Sequence, residues 1–228
     1  MELIRHVAPL ALGILVPSIM VGNWLGTASA ELAAMDPNAK TEVIASVAEE
    51  GYCTRELKQI VRRIAGSCGL LGGQGRGCEP TDAKKVVELT PDDFNKLFLP
   101  LKDRVRIVQY DMAKFDLDES AQKTVEGVWG DRRGASFFFV VSRASPEGAV
   151  DKNRELSEKR AKAVLDHLEA RFQDPDIKKQ VGLLWLGEEF AQLKAEDFCT
   201  WNRSRSSEKC EEKEINRSAL IAWIDCQI

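Results

Sequence analysis

The sequence predicts an α/β sandwich, helices packed on a mixed β-sheet, preceded by one N-terminal membrane helix. Three observations carry this reading. Residues 7–30 hold no charged side chain, and an uncharged run of that length suits a helix that spans a bilayer. Phe137-Phe138-Phe139-Val140-Val141 is an unbroken, β-prone apolar run, the mark of a central strand buried on both faces. Apolar residues at helical spacing come before and after that run, so strands alternate with helices.

Composition narrows the function before any motif is read. The 228 residues are 44% hydrophobic and 30% charged, enough apolar surface for a buried core. Lys and Arg total 32 against 36 Asp and Glu, for a net charge of −4. A general nucleic-acid binder draws its affinity from excess cations on phosphates, so nucleic acid is not an expected partner. The only histidines are His6 and His167, which excludes His-rich zinc sites and most His-based general-base schemes. Glu188 and Glu189, like Asp92 and Asp93, adjoin in sequence and show nothing of a glycosidase pair. The expectation is a non-enzymatic protein with no catalytic residue, no metal and no cofactor.

Along the chain, Arg5 precedes the uncharged run, while Glu31 and Asp36 follow it. The positive-inside rule then keeps the N-terminus cytoplasmic and places the rest across the membrane. Ala28-Ser29-Ala30 fits a signal-peptidase site, so residues 1–30 are an anchor or a cleaved signal. The apolar stretch from Val7 to Leu25 exceeds a usual signal core and favours the anchor. The run carries no Asp or Glu, the ionisable group a proton-driven stator needs.

Residues 31–103 read as a helical connector region containing Cys and Gly. Residues 31–50 are Ala-, Asp- and Glu-rich. In the next segment Leu57, Ile60, Val61 and Ile64 recur at helical spacing, with Arg55, Lys58, Arg62 and Arg63 opposite. Gly66 to Gly77 carries six glycines around Cys68 without the Gly-Lys-Ser/Thr ending of a phosphate loop, and reads as a disulfide-pinned loop. Thr90-Pro91-Asp92-Asp93 looks like a helix start with Thr90 as cap, burying Phe94, Leu97 and Phe98.

The six cysteines, Cys53, Cys68, Cys78, Cys199, Cys210 and Cys226, suit disulfides in an oxidising compartment. Fifteen pairings are open. Among them Cys199 with Cys210 closes a short polar loop, worth on the order of 2–3 kcal/mol. No C-x-x-C occurs, so a redox role is not expected.

Residues 104–228 form the clearest region. Val105 to Val108 suits a short strand, and Leu117-Asp118-Glu119 opens a helix with Ala121, Val125, Val128 and Trp129 on one face. After the Phe137 to Val141 strand, Leu156 leads a long helix with Ala161, Val164, Leu165, Leu168 and Phe172 in one stripe. Val181 to Leu186 and Ala219 to Ile224 are further strands. Helices are expected on one face of the sheet.

Ser142-Arg143-Ala144-Ser145-Pro146-Glu147-Gly148, followed by Asn153-Arg154-Glu155-Leu156-Ser157-Glu158-Lys159-Arg160-Ala161, resembles the core of the OmpA-like peptidoglycan-binding domain. That family shows a strand, a Gly-His-Thr-Asp-like loop, then Asn-x-x-Leu-Ser-x-x-Arg-Ala opening a helix. Asn216-Arg217 before the last strand resembles its Asn-Arg-Arg element, and Cys199 with Cys210 resembles the disulfide loop of its outer-membrane members. The resemblance spans roughly residues 104–228 and implies a βαβαβ-type domain in the bacterial cell envelope. There a loop Asp and the Arg of the Arg-Ala pair clamp the diaminopimelate of a cell-wall peptide stem. A zwitterionic end needs a carboxylate for its ammonium and a guanidinium for its carboxylate.

The resemblance therefore implies a site of Arg160, Ser145, Glu147, Asp151, Asn153 and Arg217. The departure is Ser145, standing at the Asp position, with Glu147 or Asp151 left to supply the missing charge. If Arg160 instead pairs with Glu147 or Asp151, the domain is a scaffold. It would then serve as a subunit of an inner-membrane secretion, motility or transport machine, with Phe137 to Phe139 and Trp185, Trp201 and Trp223 in packing and partner contact. The expected partners are the peptidoglycan peptide stem, envelope or inner-membrane proteins, and the membrane. The expected location is a single-pass inner-membrane protein with its C-terminal domain in the periplasm, or a periplasmic protein after signal cleavage.

Overall fold

The structure, a computed structural model, describes residues 51–67, 80–132, 134–135 and 137–226. The segment expected to anchor in the membrane, the Gly-rich loop, Cys68 and Cys78 lie outside these residues. Among the described residues no helix is long and apolar enough to cross a membrane.

Helix α1 spans Arg55–Ser67, its first turn closed by the Thr54 hydroxyl, which accepts from the Leu57 amide at 3.2 Å. The short strand β1 (Thr81–Asp82) leads directly into α2 (Ala83–Val86). Helix α3 covers Pro91–Lys96, with Thr90 Oγ1 accepting from the Asp93 amide and Pro91 in the first turn. A 3-10 turn at Leu99–Leu101 leads to β2, Arg106–Gln109. Helix α4 (Glu119–Gly130) starts at Asp118, whose carboxylate takes the Ala121 amide at 2.7 Å. Strand β3 is Phe137–Ser142 and helix α5 is Val150–Phe172. Then come a 3-10 turn, β4 (Val181–Trp185), the short helices α6 (Ala195–Phe198) and α7 (Glu212–Asn216), and β5 (Ser218–Ile224).

The five strands form one sheet in the order β1-β4-β3-β5-β2. Strand β3 sits at its centre, parallel to β4 and antiparallel to β5. The sheet is covered on both faces, and the expectation of helices on one face is corrected. Phe138 and Val140 join Val125 of α4 and Val164, Leu165 and Leu168 of α5 in one apolar cluster. Phe137, Phe139 and Val141 join Leu57, Ile60 and Ile64 of α1 and Phe94 of α3 in the other. Adjacent strand residues face opposite sides, so Phe137 to Val141 must all be apolar, as they are, and β3 turns polar only at its last residue, the buried Ser142. The layer behind Phe137 is tight: a Cβ on Gly182 of β4 would lie 2.2 Å from Phe137 Cζ.

Residues 51–67 and 80–103, within the expected connector, pack on the same core as the sheet. Two disulfides hold the described residues, Cys53–Cys226 and Cys199–Cys210. Beside the first, Tyr52 Oη donates to Asp225 Oδ1, while Arg104 Nη1 donates to Tyr52 Oη at 2.8 Å and Asp225 Oδ2 at 2.9 Å. The chain therefore enters this part of the fold at the Cys226 end of β5. The opposite end of that strand, roughly 20 Å away by strand rise, begins at Ser218, directly after Arg217.

Several details differ from expectation. Helix α5 starts at Val150 rather than near Leu156; its N-cap Ala149 makes no side-chain bond, so no capping residue marks this start in the sequence. Phe172, expected on the buried stripe, is 38% exposed and rests against Trp129 with ring centroids 6.0 Å apart. Phe137 to Phe139, Trp201 and Trp223 are buried, so these aromatics serve the core rather than a partner surface.

Candidate functional site

The site gathers where β3, the loop after it, the start of α5 and the residue before β5 meet. The loop of residues 143–149 leaves the sheet at Ser142, and Gly148 takes φ +115°, a conformation that any side chain would strain. Asn153, Ser157 and Arg160 follow at spacings of four and three, one face of α5. From that face Asn153 Nδ2 donates to the carbonyls of Ser145 (3.2 Å) and Glu147 (3.4 Å) and to Glu188 Oε2. Ser157 Oγ accepts from the Gly187 amide at 3.0 Å, and its carbonyl accepts from Ser142 Oγ at 2.5 Å. The Asn and Ser of the helix motif thus pin the loop.

Arg160 is fully buried and is spent on backbone. Its Nε donates to Lys114 O at 2.9 Å, Nη1 to Arg143 O at 2.8 Å and Nη2 to Asp111 O at 3.1 Å. The guanidinium carbon lies 5.0 Å from the Tyr110 ring centre, and Tyr110 Oη donates back to the Arg160 carbonyl at 3.0 Å. Burial pulls the Arg160 guanidinium down to about 10 and pushes the Tyr110 phenol well up. Neither Glu147 nor Asp151 pairs with Arg160 among the described residues.

The charged groups that reach the surface lie beside it. Glu147 Oε2 accepts from Ser145 Oγ at 2.9 Å and from Arg217 Nη2, and Glu147 Oε1 lies 3.2 Å from Lys213 Nζ. Arg217 Nε also donates to Ser145 Oγ at 3.3 Å. The Arg217 bond, with help from Ser145 and Lys213, holds the Glu147 carboxyl down at about 2. Of the two acids offered in place of a loop Asp, Glu147 therefore stands at Ser145. Asp151 points away, 91% exposed and paired with Arg154 at 2.9 Å.

Two cations here were not singled out in the sequence. Lys213 lies four residues before Arg217, a spacing that suggests a shared face. Arg143 carries no such signal. It is fully buried, with Nε on Ala191 O at 2.8 Å and Nη2 on Asn95 Oδ1 at 3.0 Å, and burial alone pulls it down to about 9. Its carbonyl accepts from Arg160, so one buried arginine supports the other.

Chemically, the surface offers one fixed carboxylate, a guanidinium and an ammonium. This set suits a ligand with both an amino and an acid group. His167 is elsewhere, 3.1 Å from Glu126.

No family model matches the chain, and no curated protein matches it. Among solved structures it is similar to the peptidoglycan-associated lipoprotein from Burkholderia pseudomallei, at 19% identity and TM-score 0.36, over 52% of this chain and 90% of that one. It is also similar to the OmpA-like domain of FopA1 from Francisella tularensis subsp. tularensis SCHU S4, at 16% identity and TM-score 0.36, over 53% of this chain and 74% of that one. A third is a putative MotB-like protein from Desulfovibrio vulgaris, at 16% identity and TM-score 0.32, over 50% of this chain and 67% of that one. The chain resembles OmpA-like domains in its motifs around Asn153 and Arg160, and is similar to such domains in structure over about half its length.

Proposed function

We propose that this is a non-enzymatic cell-envelope protein whose folded domain tethers a membrane, or a membrane complex, to the cell wall. The ligand is the zwitterionic end of a peptidoglycan peptide stem. Its ammonium goes to Glu147 and its carboxylate to Arg217, with Lys213 at the rim. Arg160 acts beneath them as a positioning residue, fixing the loops of residues 111–114 and 143–147 through their carbonyls.

The observation that carries this reading is the Glu147–Arg217 pair, two opposite charges held side by side, Glu147 on the loop that the motif resemblance designates and Arg217 just before β5. A ligand carrying both charges replaces that pair by two charge-assisted contacts. The test is co-sedimentation of the full chain, in mild detergent, with purified wall sacculi. Pelleting that is lost in Glu147→Gln and in Arg217→Ala is expected. A chain that stays in the supernatant overturns the reading.

A second reading has its own observation. The Glu147 carboxylate already takes Arg217, Ser145 and Lys213, as an internal substitute for a ligand acid. On this reading the domain is a structural subunit of an inner-membrane complex. It then migrates with a large native assembly and ignores sacculi.

A further inference from the structure

The fold has a second charged feature, far from Glu147. A cleft of about 410 Å³ opens between α4 and the start of β2, near the Cys226 end of β5. Five cationic side chains line it, Arg104, Arg106, Lys123, Arg132 and Arg203, against two carboxylates, Asp103 and Asp131. A chain of net charge −4 has therefore concentrated positive charge in one concavity, where low-dielectric walls strengthen the field.

The cations divide by what they already hold. Arg203 is occupied by the Cys199 and Arg205 carbonyls and Gln109 Oε1, at 2.9–3.1 Å. Arg104 is occupied by Tyr52 and Asp225. Arg203, whose partners are uncharged, supplies field, whereas the Arg104 charge is balanced by Asp225. Arg106 commits only Nη1, to the carbonyls of Asp103 (2.8 Å) and Val105 (3.0 Å). Arg132 commits Nε to Ala135 O at 2.8 Å and lies 5.1 Å over Trp223. Lys123 meets Glu119 at 2.6 Å on the exposed side of α4. The other guanidinium donors of Arg106 and Arg132 have no acceptor among the described residues.

We propose that this cleft binds a phosphate ester. Two planar guanidinium forks from separate elements, with an ammonium beside them, match a tetrahedral oxyanion that accepts several donors at once. The volume holds a phosphate and a small polar head. Trp223 is 5% exposed and offers no stacking face, so a nucleobase finds no platform here. The phosphate comes from a lipid headgroup or from a soluble ester. Tyr52 and Cys53 are held at this same end of the sheet, by Asp225 and Cys226.

The test uses the full chain in neutral detergent, titrated with glycerol phosphate by calorimetry at constant ionic strength. Saturable binding is expected, weakened about tenfold by Arg106→Gln or Arg132→Gln, with sodium chloride giving no equivalent heat. Lys123→Gln, on the exposed face of α4, gives a smaller loss and serves as a variant that leaves the fold untouched. Circular dichroism checks that all three stay folded. Absence of saturable binding, or equal binding by the Arg106→Gln/Arg132→Gln double variant, overturns the proposal for a soluble ester. The second arm places the chain in nanodiscs of phosphatidylcholine with and without phosphatidylglycerol and follows hydrogen exchange over residues 103–106 and 123–132. Protection by anionic lipid alone assigns a headgroup, protection by glycerol phosphate alone assigns a soluble ester, and protection by neither overturns the site.

Discussion

Glu147 and Arg217, seventy residues apart in sequence, close an ion pair that joins the loop after β3 to the start of β5. Arg217, then Ser145 and Lys213, hold the Glu147 carboxyl at about 2, below its ordinary 4.5. A carboxyl lowered in the folded state adds stability above its unfolded value and loses it as pH falls through the folded value. The contribution is thus complete above pH 4.5 and fades toward pH 2. Thermal melts between pH 6 and 2 should show a shallower acid decline for Glu147→Gln than for the parent. Parallel curves would mean that the pair adds nothing to folding.

Arg160 and Arg217 are expected to fail differently. Arg160→Ala strips donors from three carbonyls, those of Lys114, Arg143 and Asp111, around a fully buried side chain. That should cost about 3–5 kcal/mol in urea unfolding. Arg217→Ala breaks a partly exposed pair and should cost a small fraction of that, yet abolish wall binding. If Arg160→Ala unfolds like the parent, the bracket assigned to it does not exist.

The two disulfides differ in the length of chain they close. Cys53–Cys226 joins residues 173 apart, and Cys199–Cys210 residues 11 apart. Chain entropy assigns about 5 kcal/mol to the first and about 3 kcal/mol to the second. The first also ties the start of α1 to the end of β5. Urea unfolding of Cys53→Ser/Cys226→Ser should therefore show the larger loss, accompanied by faster hydrogen exchange in α1. An equal or smaller loss than Cys199→Ser/Cys210→Ser would show that α1 docks without its staple.

What could be read from the sequence was local. The cap at Thr90-Pro91 is a short-range pattern, and the run from Phe137 to Val141 is set by burial on both faces; both appear in the structure as expected. The stripe of Val164, Leu165 and Leu168 is equally plain. Strand β1 was not legible, because two residues, Thr81 and Asp82, carry no alternation and owe their state to pairing with Leu184 and Trp185. The second covered face was hidden for the same reason. Leu57 and Phe94 sit far in sequence from the Phe139 they help to bury, and spacing says nothing about which distant stripe meets which strand. At the site, the motif resemblance drew attention to Ser145 and Arg160. That Glu147 meets Arg217, while Arg160 turns to carbonyls, depends on loop paths fixed by Gly148 and Asn153.

The tight layer behind β3 gives a last test of the two-faced packing. Gly182 lies opposite Phe139 in the β3–β4 register, and its missing side chain leaves the space that the Phe137 ring fills. An alanine there would meet Phe137 Cζ at 2.2 Å and Ile64 Cγ2 at 3.0 Å, so the ring or helix α1 must move. Overpacking of this kind costs about 1–3 kcal/mol. Gly182→Ala should lower the urea midpoint, and Phe137→Leu in the same chain should return part of the loss by shortening the clashing side chain. If Gly182→Ala is neutral, α1 is not seated on this face of the sheet. If the double variant is no better than the sum of the two single changes, the clash lies with Ile64 and α1 rather than with the Phe137 ring.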